Sequence, residues 1–239
     1  MQKFQQNGFK MIIKICGLRE PDNIRAVTKL GVDMIGFDFR LNSERFVQMI
    51  SSMAGIIPDY SLERLNVARG KTTAATDADQ LPKRVGVFSD DMPQSIVTRI
   101  YNYSLDYVQL DGGEPRETCE NLLRTVIPDI KEELKIVKTI KIEDANDFEK
   151  CEQYVGAVDM FLFNVNKSKA DWSILNSYTE EIPFLLGDIE LEDAEKLKSL
   201  KHKMFAGVNL NEHFETAPVI KDVEKISQFI SIIKGELSK

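Results

Sequence analysis

The chain has little histidine, little cysteine and no unbroken apolar stretch. With only His202 and His213 among its 239 residues, a His-based metal cluster or a Ser-His-Asp triad has almost no material to be built from. The three cysteines, Cys16, Cys119 and Cys151, are odd in number, widely spaced and without a CxxC pair. That pattern argues against a disulfide framework and a zinc site, and reads as reduced thiols; no metal and no cofactor are expected. The opening "MQKFQQNGFK" lacks the apolar core of a signal peptide, and no later segment approaches the roughly 18 apolar residues of a membrane span. The expected location is the cytoplasm, with no membrane partner. A net charge of −7 leaves no general basic footprint, so no nucleic-acid partner is expected either.

What is present is a rhythm. Short apolar runs rich in β-branched and aromatic residues alternate with segments of helical period about every 25 to 30 residues, the pattern of βα units on a parallel sheet. The strand candidates are Ile12 to Cys16, Met34 to Phe39, Arg84 to Phe88, Tyr107 to Leu110, Lys135 to Ile140, Met160 to Asn164, Phe184 to Gly187 and Met204 to Leu210. They are apolar almost throughout, as strands covered on both faces must be. Between them, apolar residues fall three and four apart, as in Ile24, Val27 and Leu30, or Val223, Ile226, Ile230 and Ile233. Eight units in a chain of this length, with no GxGxxG after the first strand, predict a closed (β/α)8 barrel, a TIM barrel, rather than an open doubly wound sheet. The barrel is expected over 11–239 as one domain, with 1–10 as an N-terminal extension. The segment 51–80, whose second half "RGKTTAATDADQLPK" has no apolar period, reads as an insertion or mobile loop.

In such a barrel the chemistry gathers just past the C-terminal ends of the strands. There the chain carries, in order, "KICGLREPDNIRAVTKLGVDMIGFDF", "SERFV", "RVGVFSD", "LDYVQLDGGE", "VDMFLFN", "DWSIL", "PFLLGDI" and "FAGVNLNEHFETAPVIKDVEKI". This series resembles the phosphoribosylanthranilate isomerase family of tryptophan biosynthesis over roughly Met11 to Ile233. The resemblance implies an Amadori rearrangement of an N-linked ribose phosphate to a 1-amino-2-ketose. In that reaction an acid protonates the ring oxygen, a base removes the proton at C2, and the phosphate anchors a small phosphorylated substrate. It places Cys16 at the base position. At the acid position, where the family pattern is "DxFLFDT", this chain has Asn164. A carboxamide cannot give up a proton near neutral pH, so the general-acid contribution, typically about 10²- to 10⁴-fold, is expected to be missing.

The resemblance further implies that Arg45 of "NSERFV" contacts the anthranilate carboxylate, and that Asp111 stands where the family has a histidine. The phosphate-binding positions map to Gly187, Asp188, Asn211 and Glu212, with the Gly-rich loop after the sixth strand replaced by "NVNKSKADW". A carboxylate at Asp188 or Glu212 opposes a phosphate by about 1 kcal/mol or more per pair. Three readings stay open: the isomerase, a non-catalytic binding or regulatory barrel derived from it, and a barrel with a new cationic ligand held by Asp38, Asp111 and Asp188. His213, Lys167 and Lys169 are weaker candidates for an anion contact. Trp172, Cys119 and Cys151 read as packing residues. A monomer and a homodimer are equally compatible with the sequence.

Overall fold

A computed structural model describes residues 11–54, 81–169 and 171–235. Eight parallel strands close into a barrel in chain order: β1 (Ile12–Ile15), β2 (Met34–Asp38), β3 (Lys83–Phe88), β4 (Tyr107–Leu110), β5 (Lys135–Ile142), β6 (Met160–Val165), β7 (Phe184–Leu186) and β8 (Phe205–Leu210). The ladder from β8 back to β1, with Lys14 opposite Asn209 and Ile15 opposite Leu210, closes the ring. The expected (β/α)8 architecture is therefore what the chain forms, with strand ends shifted by one or two residues. Strand β5 runs on to Ile142 because β6 continues beside it, pairing Lys141 with Asn164 and Ile142 with Val165.

The side-chain period of two sorts each strand into an outer and an inner face. Outward residues such as Ile13, Ile15, Phe37, Phe161, Phe163 and Leu210 are buried against α1 (Pro21–Thr28), α2 (Pro93–Tyr103), α3 (Arg116–Val126), α4 (Glu149–Glu152), α5 (Ala194–Ser199) and α6 (Val223–Lys234). Helix α6 shows why such a segment is helical: Asp222 accepts from the Lys225 N–H at 2.9 Å, Gly235 ends the helix at φ 73°, and Ile226, Phe229 and Ile230 are buried. Inside the barrel a small apolar layer of Val137, Met160, Leu162 and Leu185 forms a floor, with Ile12, Tyr107 and Ala206 packed on it. The inward positions above it turn polar, and the site begins there.

One expectation changes and one element is added. The connection after β6 is a six-residue 3-10 helix, Trp172–Ser177, capped by Asp171, rather than an amphipathic α-helix. A hairpin of β9 (Glu215–Ala217) and β10 (Ile220–Lys221) that apolar periodicity does not announce follows β8. Of the segment 51–80, only 51–54 and its short turn Ser52–Ala54 belong to the described residues. The expected insertion and the extension 1–10 lie outside them. Among the described residues no helix is long and apolar enough to cross a membrane.

Candidate active site

At the C-terminal ends of the strands the barrel opens into a cavity of about 590 Å3, lined among others by Cys16, Gln109, Asp111, Asn164, Asp188 and Asn209. Cys16 follows β1 directly, and its N–H extends the ladder to Leu210 O at 2.9 Å. The thiol is 5% exposed and fits because the facing position on β2 is Gly36, where a Cβ would stand 2.9 Å from Sγ. The next residue, Gly17, turns the chain at φ +76°. A Cβ there would meet Arg45 Cδ at 2.6 Å and Asn211 Oδ1 at 2.8 Å. This glycine thus sets the thiol's position and lets two neighbouring elements close over it.

Asn164 lines the same cavity near the end of β6, and its carboxamide lies over the bare backbone of Gly187. A Cβ on Gly187 would sit 1.9 Å from Asn164 Oδ1. Cys16 and Asn164 are therefore brought to one cavity, and the second of them has no proton to give. Asp111 also lines it, paired with Arg40 and accepting from Gln109 Nε2 at 3.3 Å. Arg40 in turn grips the buried Asp38 through Nε at 2.9 Å and Nη2 at 2.6 Å, while Ser43 Oγ donates to Asp38 at 2.6 Å. Burial alone would push the Asp38 carboxyl up, but the hydrogen bonds from Arg40 and Ser43 outweigh it and hold it below the usual carboxylate range. The carboxylate ring of Asp38, Asp111 and Asp188 does not form, since Arg40 takes up the first two and Asp188 instead meets His213 Nε2 at 2.9 Å.

Arg45 lies outside the cavity lining. Its Nε and Nη2 each donate to Glu215 at 2.8 Å, and its distance to Glu212 is 3.7 Å. Glu215 also accepts from Lys221 Nζ at 2.6 Å. Burial would raise its carboxyl, yet the bonds from Arg45 and Lys221 keep it low. Of the expected phosphate positions, Asp188, Asn211 and Glu212 line the cavity. Gly187 spends its N–H on Phe163 O at 2.9 Å, and Asn211 Oδ1 accepts from Lys221 Nζ at 3.1 Å. Lys167 is held by Asp193 at 2.7 Å and Glu190 at 3.2 Å, and Lys169 is paired with Glu143. Neither lysine is left as a simple anion contact.

Below the thiol, on the same face of β1, Lys14 is 1% exposed and donates to Gln109 Oε1; burial lowers its pKa. Lys14, Arg40, Glu215 and Lys221 carry much of the charge around the site, with the neutral amide of Gln109 between Lys14 and Asp111, and none of them stands out in the sequence residue by residue. The available signal was a polar residue inside an otherwise apolar strand, as in "KIC" and "VQL". Cys119 and Cys151 are buried away from the cavity, their thiols pushed up by burial to about 11 and about 12. Trp172 packs half-buried against the main core.

A closed α/β barrel with a thiol and a ring of polar side chains at its strand ends has the architecture of a barrel enzyme. A family model described as N-(5'phosphoribosyl)anthranilate (PRA) isomerase matches residues 57–232, and the chain belongs to that family. It is 39% identical over 232 residues to an N-(5'-phosphoribosyl)anthranilate isomerase of Parabacteroides distasonis, covering 93% of each chain. It is 32% identical to one of Phocaeicola vulgatus, covering 95% of this chain and all of that one. Among solved structures, the phosphoribosyl anthranilate isomerase of Thermotoga maritima superposes with a TM-score of 0.70 at 23% identity, over 95% of this chain and all of that one. The same fold similarity, TM-score 0.70 and 23% identity, extends to a phosphoribosyl anthranilate isomerase in complex with reduced 1-(o-carboxyphenylamino)-1-deoxyribulose 5-phosphate.

Proposed function

We propose that this chain is an N-(5'-phosphoribosyl)anthranilate isomerase-type barrel in which the base half of the Amadori rearrangement is retained and the acid half is not. The observation that carries this reading is that Asn164, a carboxamide at the end of β6, lines the same cavity as Cys16. Opening the ribose ring requires a proton on the ring oxygen as the bond to C1 breaks. Asn164 at the end of β6 does not supply that proton, because a carboxamide can only donate a hydrogen bond. Cys16, once deprotonated, can still take the proton from C2. Turnover is then slower by about 10²- to 10⁴-fold than with an acid in place. The replacement of the glycine-rich loop after the sixth strand points the same way. Asp188 and Glu212 stand where the substrate phosphate would lie, and each opposes it by about 1 kcal/mol or more.

In this reading the protein is a cytoplasmic relative of the tryptophan-pathway isomerases that binds a small molecule at the barrel mouth, as a monomer or homodimer, without a cofactor. The reading of a fully working isomerase draws support from the 39% identical relative of that name. Turnover of N-(5'-phosphoribosyl)anthranilate by purified protein, measured beside Cys16→Ala, separates the two. Slow or undetectable wild-type turnover is the expected outcome. Rapid turnover abolished in Cys16→Ala would establish the working isomerase.

A further inference from the structure

Lys14 is a buried cation to which the proposed chemistry gives no task. The side-chain period of two on β1 puts it on the same inward face as Cys16, and its Nζ donates to Gln109 Oε1 on β4. The Gln109 amide in turn donates to Asp111 Oδ1 at 3.3 Å and to Thr139 Oγ1 of β5 at 3.1 Å. Opposite Lys14 on β8 stands Asn209, a second neutral amide. The thiol of Cys16 also points inward, since a Cβ on the facing Gly36 of β2 would stand 2.9 Å from its Sγ.

Four cations interact electrostatically with that thiol: Lys14, Arg40, Arg45 and Lys221. Three of them are answered by carboxylates, Arg40 by Asp38 and Asp111, and Arg45 and Lys221 by Glu215. Glu212, on the exposed rim, lies 3.7 Å from Arg45. Lys14 is different: it is 1% exposed, its bond goes to an amide, and among the described residues no ion pair reaches it. An ammonium buried without a counter-ion is costly. A thiolate at Cys16 offsets that cost, because the four cations then face three carboxylates and one sulfur anion. Burial lowers the pKa of Lys14, while negative charge at Cys16 and Asp111 raises it.

We propose that Lys14 is a positioning residue for the base: its buried ammonium is the counter-charge that holds Cys16 as a thiolate at the cavity wall. The inference rests on the reading of Cys16 as the group that takes the proton from C2, and it gives that group its source of ionisation.

Iodoacetamide reads the thiolate without substrate, so the result stands apart from any turnover assay. Cys119 and Cys151, buried and pushed up to about 11 and about 12, stay protonated near neutral pH, and mass spectrometry places the single adduct on Cys16. In Lys14→Met the alkylation rate near neutral pH falls at least about tenfold and the rise of rate with pH is displaced to higher pH, while the rate reached at high pH matches wild type. Lys14→Arg, which keeps the charge, stays within about threefold of wild type across the profile. The coupling is mutual, so a second reading needs no Lys14 variant: the side-chain nitrogen NMR signal of Lys14 titrates at lower pH in Cys16→Ala than in wild type. The proposal fails if Lys14→Met leaves the profile in place or lowers the rate equally at every pH. It also fails if the Lys14 titration is the same with and without the thiol. Turnover unaffected by Cys16→Ala would remove the base reading, while the alkylation profile and the Lys14 titration would still decide the charge pairing.

Discussion

The two sides of the cavity mouth are built differently. Around β1, β2 and the β9–β10 hairpin, the cations near the thiol are tied to protein partners: Arg40 by Asp38 and Asp111, Arg45 and Lys221 by Glu215, and Lys14 by the Gln109 amide. The side chains of Asp38 and Glu215 are only 2% and 7% exposed. Around the ends of β6, β7 and β8 the groups are Asn164, Asp188, Glu212 and His213, and the last three reach into solvent. The difference teaches where this barrel can change its chemistry. Altering one partner of the buried side strands a charge, while the exposed side accepts new residues at little cost in folding.

Variants that remove a buried partner should therefore show the largest effect on stability. Glu215→Ala leaves Arg45 and Lys221 without their shared carboxylate, and denaturant unfolding should report a loss of about 3–5 kcal/mol. Gly17→Ala should cost about 1–3 kcal/mol, because the new Cβ meets Arg45 and Asn211 and the left-handed turn disfavours it. On the exposed side, Asp188→Asn should leave unfolding within about 0.5 kcal/mol of wild type. A comparable loss in Asp188→Asn and Glu215→Ala would erase the distinction between the two sides.

Acid sharpens the same contrast. Glu215 titrates lower in the folded protein than its ordinary value of 4.5, so its contribution is complete above that pH and is lost as pH falls through the folded value. Thermal melts from pH 7 downward should lose stability increasingly below about pH 4.5, and Glu215→Gln should show a shallower decline over that window. A decline of equal steepness in both proteins would remove Glu215 as its source.

Much of the frame is legible in the sequence. The apolar runs located all eight strands because parallel strands buried on both faces leave few polar positions. The order of motifs placed Cys16, Asn164, Asp188 and Glu212 around one mouth. What stayed hidden depends on closure of the ring: Arg45 finds Glu215 across 170 residues, and Arg40 finds Asp111 across 71. Charge pairing of that kind leaves no local spacing to read. The same holds for the 3-10 helix after β6, where Asp171 caps a turn too short to show a helical stripe.

In the proposed reading Asn164 stands in the place of an acid. Asp is isosteric with Asn and needs no new space over Gly187, so the direct measurement is kcat/KM for N-(5'-phosphoribosyl)anthranilate in Asn164→Asp against wild type. A rise of about 10²-fold or more, lost again when Cys16→Ala is added, is the predicted result. Equal values, with both proteins folded and Cys16 intact, would contradict it.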